Sequence, residues 1–226
     1  MHIEPDVVAG AKIFLSYATA AGAFALTVKL ARDSLRDNGG LLALTLRSLL
    51  TTALVFCFFE VLPHHPVGVS EVHLILGSTL LLLFGAGAAA IGLAAGLLLQ
   101  GLFFAQFDLP QYGMNVTTLL LPLWAIHLLA KRLIPARTAY VDTSYKQALA
   151  LSTAYQGGIV AWVAFWAVYG NGFSSANLAS VGSFGLAYMS VILLEPLIDL
   201  GVLAAAKALS RYSQGPLFNV RLHQPA

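Results

Sequence analysis

Six histidines are the groups most able to do chemistry in this chain of 226 residues. His2, His64, His65 and His73 fall in its first third, and His127 and His223 stand apart. His2 is the most informative of them, because an early histidine behind a free amine is a chelator. The Met1 amine and the His2 backbone nitrogen close a small ring on a metal, and that nitrogen with His2 Nδ1 closes a second. Three in-plane nitrogens suit Ni(II) or Cu(II) and accept Co(II), whereas Zn prefers a tetrahedral set. A fourth nitrogen must come from elsewhere, and His73, just ahead of an apolar run, is the best placed. Binding needs a deprotonated amine and amide, so affinity should fall in acid. For any single loop histidine the alternative is a solvated interface residue, and His64 and His65 stay open between that reading and metal capture.

Other chemistry is sparse. No GxxxxGK[ST] phosphate loop occurs, so any ATP must be handled by another protein, and HExxH is absent. Gly182-Ser183 with His127 could be forced into an intramembrane hydrolase, but nothing in the sequence supports that pairing. The single Cys57 allows neither a disulfide nor a thiolate metal site within the chain. Glu195 and Asp199 lie four apart on one helix face within an apolar span, where ionisable groups are costly and usually functional. They are read as a contact with a partner transmembrane subunit or as part of a proton-linked step, with a neutral, hydrogen-bonded pair as the alternative. Pro196 beside them should bend the helix.

The elements that must position these groups are membrane helices. Hydrophobic residues make up 58% of the chain and charged residues only 10%, against about 25% charged in a soluble domain. A bilayer core takes roughly 20 apolar residues as helix. Runs at Val7–Leu30, Leu41–Leu62, Met114–Ala130, Leu149–Tyr169 and Leu178–Leu209 meet that length. The run Leu74–Phe107 is too long for one span, and its glycines divide it near Gly85. The expectation is an all-α, polytopic bundle of about seven transmembrane helices in a single domain, residues 1–226. Gly77 to Gly101 is dense in Gly, Ala and Ser, so the third and fourth helices should sit at the centre.

Lys and Arg mark the cytoplasmic ends of spans. Lys29, Arg32, Arg36 and Arg47, then Lys131, Arg132, Arg137 and Lys146, then Lys207, Arg211 and Arg221 all fall on one side when the spans are counted. That puts the N-terminus, the Pro63–Val72, Asp108–Gly113 and Gly170–Asn177 loops outside, and the C-terminus in the cytoplasm. The start lacks a basic leader, and the bulk of His2 disfavours trimming of Met1.

Met1-His2-Ile3, Ser70-Glu71-Val72-His73, Gln100 with the stretch to Gln106, and Gly113-Met114-Asn115 together resemble the CbiM/NikM substrate-specific components of energy-coupling-factor cobalt and nickel transporters. The order and spacing match from Met1 to about Ala130. The resemblance implies an N-terminus folded back into the bundle. It also implies a metal held by the Met1 amine, the His2 amide and imidazole, and His73, with Ser70 and Asn115 supporting them. Where many members have a His followed by two glycines this chain has Gln106-Phe107-Asp108, which makes Gln106 a changed polar support. The family's Glu-Gly element appears here as Glu195-Pro196, with Tyr188 at an upstream His position. The implied protein is a multi-pass permease subunit of the bacterial inner membrane and not an enzyme. It would hold no permanent cofactor, carry Co2+ or Ni2+, and bind lipid, a coupling transmembrane subunit and ATPase subunits, but no nucleic acid. An intramembrane hydrolase and a stand-alone metal channel or sensor are the rival readings.

Overall fold

The computed structural model describes residues 3–213 and 215–225, apart from the side chain of Asp6. Apolar runs with few helix breakers form the helices α1 (Phe14–Asp37), α2 (Gly40–Glu60), α3 (Gly77–Phe84), α4 (Ala86–Phe103), α5 (Tyr112–Leu133), α6 (Tyr145–Asn171), α7 (Ser175–Met189) and α8 (Glu195–Ala208). A short antiparallel hairpin, β1 (His65–Val67) and β2 (Ser70–Val72), joins α2 to α3. Among the described residues six helical segments are long and apolar enough to cross a membrane: Gly10–Asp37, Gly40–Glu60, Ala86–Phe103, Gln106–Leu133, Tyr145–Asn171 and Ser175–Ala208. The last combines α7 and α8 across the tight turn Ser190–Leu193, and Pro196 sits in the first turn of α8, where its missing N–H leaves no helical bond unmade. The bend therefore falls just ahead of the proline.

The all-α bundle and the division at Gly85 agree with the sequence, but the third helix differs from expectation. Its 8 residues span only about 12 Å, less than half of a bilayer core. An extended stretch, His73 to Leu76, leads into it instead. There the Ile75 N–H donates to His73 O at 3.1 Å and the Gly77 N–H to Ile75 O at 2.9 Å, two successive three-residue turns. Irregular backbone at this depth survives only when protein shields it from lipid. Every residue of α3 is buried, which supplies that shield.

Small residues let α4 approach its neighbours. A Cβ on Gly92 would fall 2.3 Å from Thr51 Oγ1 and one on Gly96 2.6 Å from Val55 Cγ1, so α2 lies directly on the glycine face. Thr51 donates across this contact to Ala88 O at 2.8 Å. The placement of α3 and α4 at the centre holds, with α4 packed against α1, α2 and α5.

The loops expected to share one end do so. Ile3 forms a β-bridge with Ser70, and the Glu4 N–H donates to Val69 O at 3.2 Å. Gln111 reaches Pro5 O at 3.3 Å, and the Lys12 ammonium donates to the carbonyls of Tyr169 and Gly170 at 3.1 and 2.8 Å. At the opposite end of α3, Arg47 is fully buried, not solvated as a span-flanking charge would be. It donates to Ala43 O at 3.1 Å, to Phe84 O at 3.3 Å and to Asn38 O, closing the C-termini of α3 and α1.

Candidate metal site

Residues alternate sides along a strand, so Glu71 and His73 leave the hairpin on one side and Ser70 on the other. His73 is 1% exposed, and its Nε2 lies 3.0 Å from Glu71 Oε2. The Phe59 ring meets the imidazole edge-on with centroids 5.0 Å apart, and the His64 ring stacks on it at 4.9 Å. An apolar wall and a carboxylate thus fix the orientation of His73. His65 is exposed on β1 and takes no part in this stack.

The chain's beginning is fastened from two sides. Ile3 is wholly buried; it bridges to Ser70, itself 0% exposed, and its N–H donates to Asn115 Oδ1 at 3.0 Å. Asn115 lies in the first turn of α5 and spends its carbonyl oxygen on the N-terminal strand and not on capping its own helix. The fold therefore brings Ser70, His73 and Asn115 to one end of the bundle. Met1 and His2, the other expected ligands, lie outside the described residues. Among the described residues no three His, Cys, Asp or Glu side chains are grouped to hold a metal ion.

Gln106 does not occupy the expected position. It is exposed, and its amide donates to Leu102 O at 3.0 Å, within its own turn. The buried polar residue of that segment is Asp108, which lines a small cavity with Gln100, Tyr112 and Asn115. Sequence reasoning missed Asp108 and Glu71 as neighbours of the site. Alternation along Ser70-Glu71-Val72-His73 was the available signal for Glu71. For Asp108 the only signal was an acid in a chain with just 10 of them.

Glu195 and Asp199 form a separate polar centre, 0% and 1% exposed. Glu195 accepts from Ser78 at 2.9 Å and from Ser152 and Gln156 at 2.6 Å each. Asp199 accepts from Ser78 at 2.7 Å and from Thr79. Both carboxyls face inward onto α3 and α6, where groups of this chain engage them. Gln156 also donates to Ile75 O at 3.0 Å, which holds the extended stretch behind His73. The pair considered for hydrolysis is not assembled. Ser183 donates to Ala179 O on its own exposed helix face, while His127 lines a cavity at the Asn38 end of α5.

The family model described as "Cobalt uptake substrate-specific transmembrane region" matches residues 2–212 of this chain. Neither the curated proteins nor the solved structures compared with it include a match.

Proposed function

The chain belongs to the CbiM family, the substrate-specific transmembrane region of cobalt uptake, and from that premise we propose that it captures Co2+ or Ni2+ with Met1, His2 and His73. One observation carries the reading: the antiparallel register that pairs Ile3 with Ser70 and Glu4 with Val69. This register fastens the described start of the chain to the strand that carries Glu71 and leads into His73. We assign the ligands that precede it, His2 and the Met1 amine, to that same end of the bundle.

The donor set suits the cargo. Amine, amide and imidazole nitrogens favour late first-row divalent ions over Mg2+ and Ca2+, which take oxygen. Glu71 at His73 Nε2 acts as the outer carboxylate that fixes a ligating imidazole, with Nδ1 the nitrogen turned to the metal. Asn115 and Ser70 secure the strand that delivers the amine. Acidic side chains at this end, Glu4 and Glu71 among them, draw in cations. The proposed orientation puts this end outside the cell and the basic end in the cytoplasm. Release inward is assigned to a coupling transmembrane subunit and ATPase subunits, because this chain carries no phosphate-binding loop.

Metal analysis of the purified protein beside a variant with one residue inserted between Met1 and His2 tests this. The insertion keeps every side chain but changes ring size and reach, so affinity should collapse. Unchanged stoichiometry and affinity would end the proposal.

A further inference from the structure

The Glu195–Asp199 centre contains more polar contacts than it has protons to fill them. Ser78 Oγ lies 2.9 Å from Glu195 Oε1 and 2.7 Å from Asp199 Oδ2. Thr79 meets the other oxygen of Asp199, while Ser152 and Gln156 both meet Glu195 Oε2. A hydroxyl carries one proton. Ser78, Thr79 and Ser152 therefore supply one each, and Gln156 supplies one more because its second N–H is spent on Ile75 O. One of the two contacts at Ser78 has no proton from the donors present.

A second observation points the same way. Gln156 is 0% exposed and its amide head lies against Glu195, yet its Oε1 accepts no hydrogen bond among the described residues. It is a buried acceptor without a donor, on a side chain bonded to Glu195. A buried polar atom in this condition asks for a ligand that brings protons or positive charge.

We propose that Glu195 and Asp199 form a proton-binding site, holding one proton between them through Ser78. The added proton sits on Asp199 Oδ2 or Glu195 Oε1 and donates to Ser78 Oγ, whose own proton goes to the other carboxyl. Only an O–H bond forms, with the proton taken from water, so the pair carries one negative charge and not two. Two bare carboxylates separated only by one hydroxyl, inside an apolar bundle, would repel strongly.

Among the described residues the surroundings offer no other neutralising group. From α6 the titratable neighbour is Tyr155 and from α7 Tyr188, both fully buried phenols. From α3 come only Ser78 and Thr79. Lys207 on α8 pairs with Asp142 at 2.5 Å, eight residues or about 12 Å along the helix from Asp199. Among the described residues no basic side chain forms an ion pair with either carboxyl.

The site has a mechanical position as well. Ser78 and Thr79 open α3, and Gln156 grips Ile75 two residues beyond His73, so the proton closes the joint between the broken crossing and α6 and α8. Losing it would leave a second charge pushing α8 away from α3.

Infrared spectra of the purified protein in lipid test the site without any metal, so failure of metal capture leaves this test standing. At neutral pH the unaltered chain should show a protonated-carboxyl band. That band should be lost in the Glu195→Gln, Asp199→Asn double variant, shift in Ser78→Ala, and stay in Asp108→Asn. Should the double variant fail to fold, either isosteric single variant must still change the band. No protonated-carboxyl band at neutral pH, or a band untouched by substitution at Glu195 and Asp199, overturns the proposal.

Discussion

The two ends of α3 are held in opposite ways. At the His73 end the chain approaches it as extended backbone, held among the described residues by the Ile3 bridge to Ser70, the Ile3 bond to Asn115, the Gln156 grip on Ile75 and the bonds of Ser78 and Thr79 to Glu195 and Asp199. At the Phe84 end a buried guanidinium reaches three carbonyls, and the C-terminal segment is laced over the helix ends. There the Asn219 N–H donates to Leu83 O at 2.7 Å, Asn38 exchanges bonds with Asn219 and Val220 at 3.1 and 2.8 Å, and Arg221 donates to Ile134 O and Pro135 O while lying 4.7 Å over the Tyr140 ring. The first end is thus a seam of extended backbone held by a strand bridge and side chains. Many bonds to helix termini make the second a fixed base. The proposed metal capture at the first end calls for such a base, because ligands brought from distant parts of the chain must be held in register.

Breaking the base should have the largest effect. Arg47→Met keeps the volume of the side chain but leaves the carbonyls of Ala43, Asn38 and Phe84 without this donor, and each buried unsatisfied group costs about 1–3 kcal/mol. A loss of roughly 3 kcal/mol or more is expected, seen as a large fall in Tm by thermal denaturation in detergent. Metal stoichiometry at low temperature should be unchanged. A Tm near that of the unaltered chain would show that the two ends are not distinguished in this way.

The seam should respond to acid where the base does not. With the proposed N-terminal ligands, metal binding would displace the amide proton at any pH, and the amine proton as well below the amine's ordinary pKa of about 8. Affinity should therefore fall roughly tenfold per pH unit above that value and roughly a hundredfold per unit below it. Calorimetric titration across pH 6 to 9 in several buffers reads both slopes; a flat profile would remove the N-terminal nitrogens from the site.

Asn115→Ala should separate affinity from stability. The Ile3 N–H loses its acceptor, the strand bearing the first residues loosens, and metal affinity should drop about 10–100-fold, as for other groups that orient ligands. The effect on Tm should be smaller than for Arg47→Met. Equal loss of stability with affinity intact would make the N-terminal seam merely structural.

The legible and illegible parts of this molecule differ for physical reasons. Span positions, the turn at Gly85 and the gathering of the N-terminus and three loops at one end could be read because length, hydropathy and Lys/Arg placement are one-dimensional signals. The break ahead of α3 could not, since Leu74 to Phe84 is apolar whether helical or extended and periodicity does not separate the two when every face is buried. Glu195 and Asp199 were visible as costly acids, but their donors Ser78 and Thr79 come from a helix more than a hundred residues earlier. Asn115 was found through resemblance to a family. That likeness aligns positions and not side-chain directions, which is why Gln106 was expected in the pocket while Asp108 is the residue buried there.

Gln106 supplies the smallest effect and the sharpest control. Its side chain is exposed and among the described residues bonds only to Leu102 O in the preceding turn, so Gln106→Ala should change stability by no more than about 0.5 kcal/mol. Metal affinity should stay within twofold or so, because nothing near Ile3, Ser70 or His73 depends on it. Placed beside Asn115→Ala, the variant asks whether the seam is defined by which positions the family uses or by which side chains reach the strand. A drop in affinity as large as that of Asn115→Ala would mean that Gln106 turns inward when metal binds. The seam would then extend from the hairpin across the Gln106–Gln111 turn, and its closing would involve a third loop.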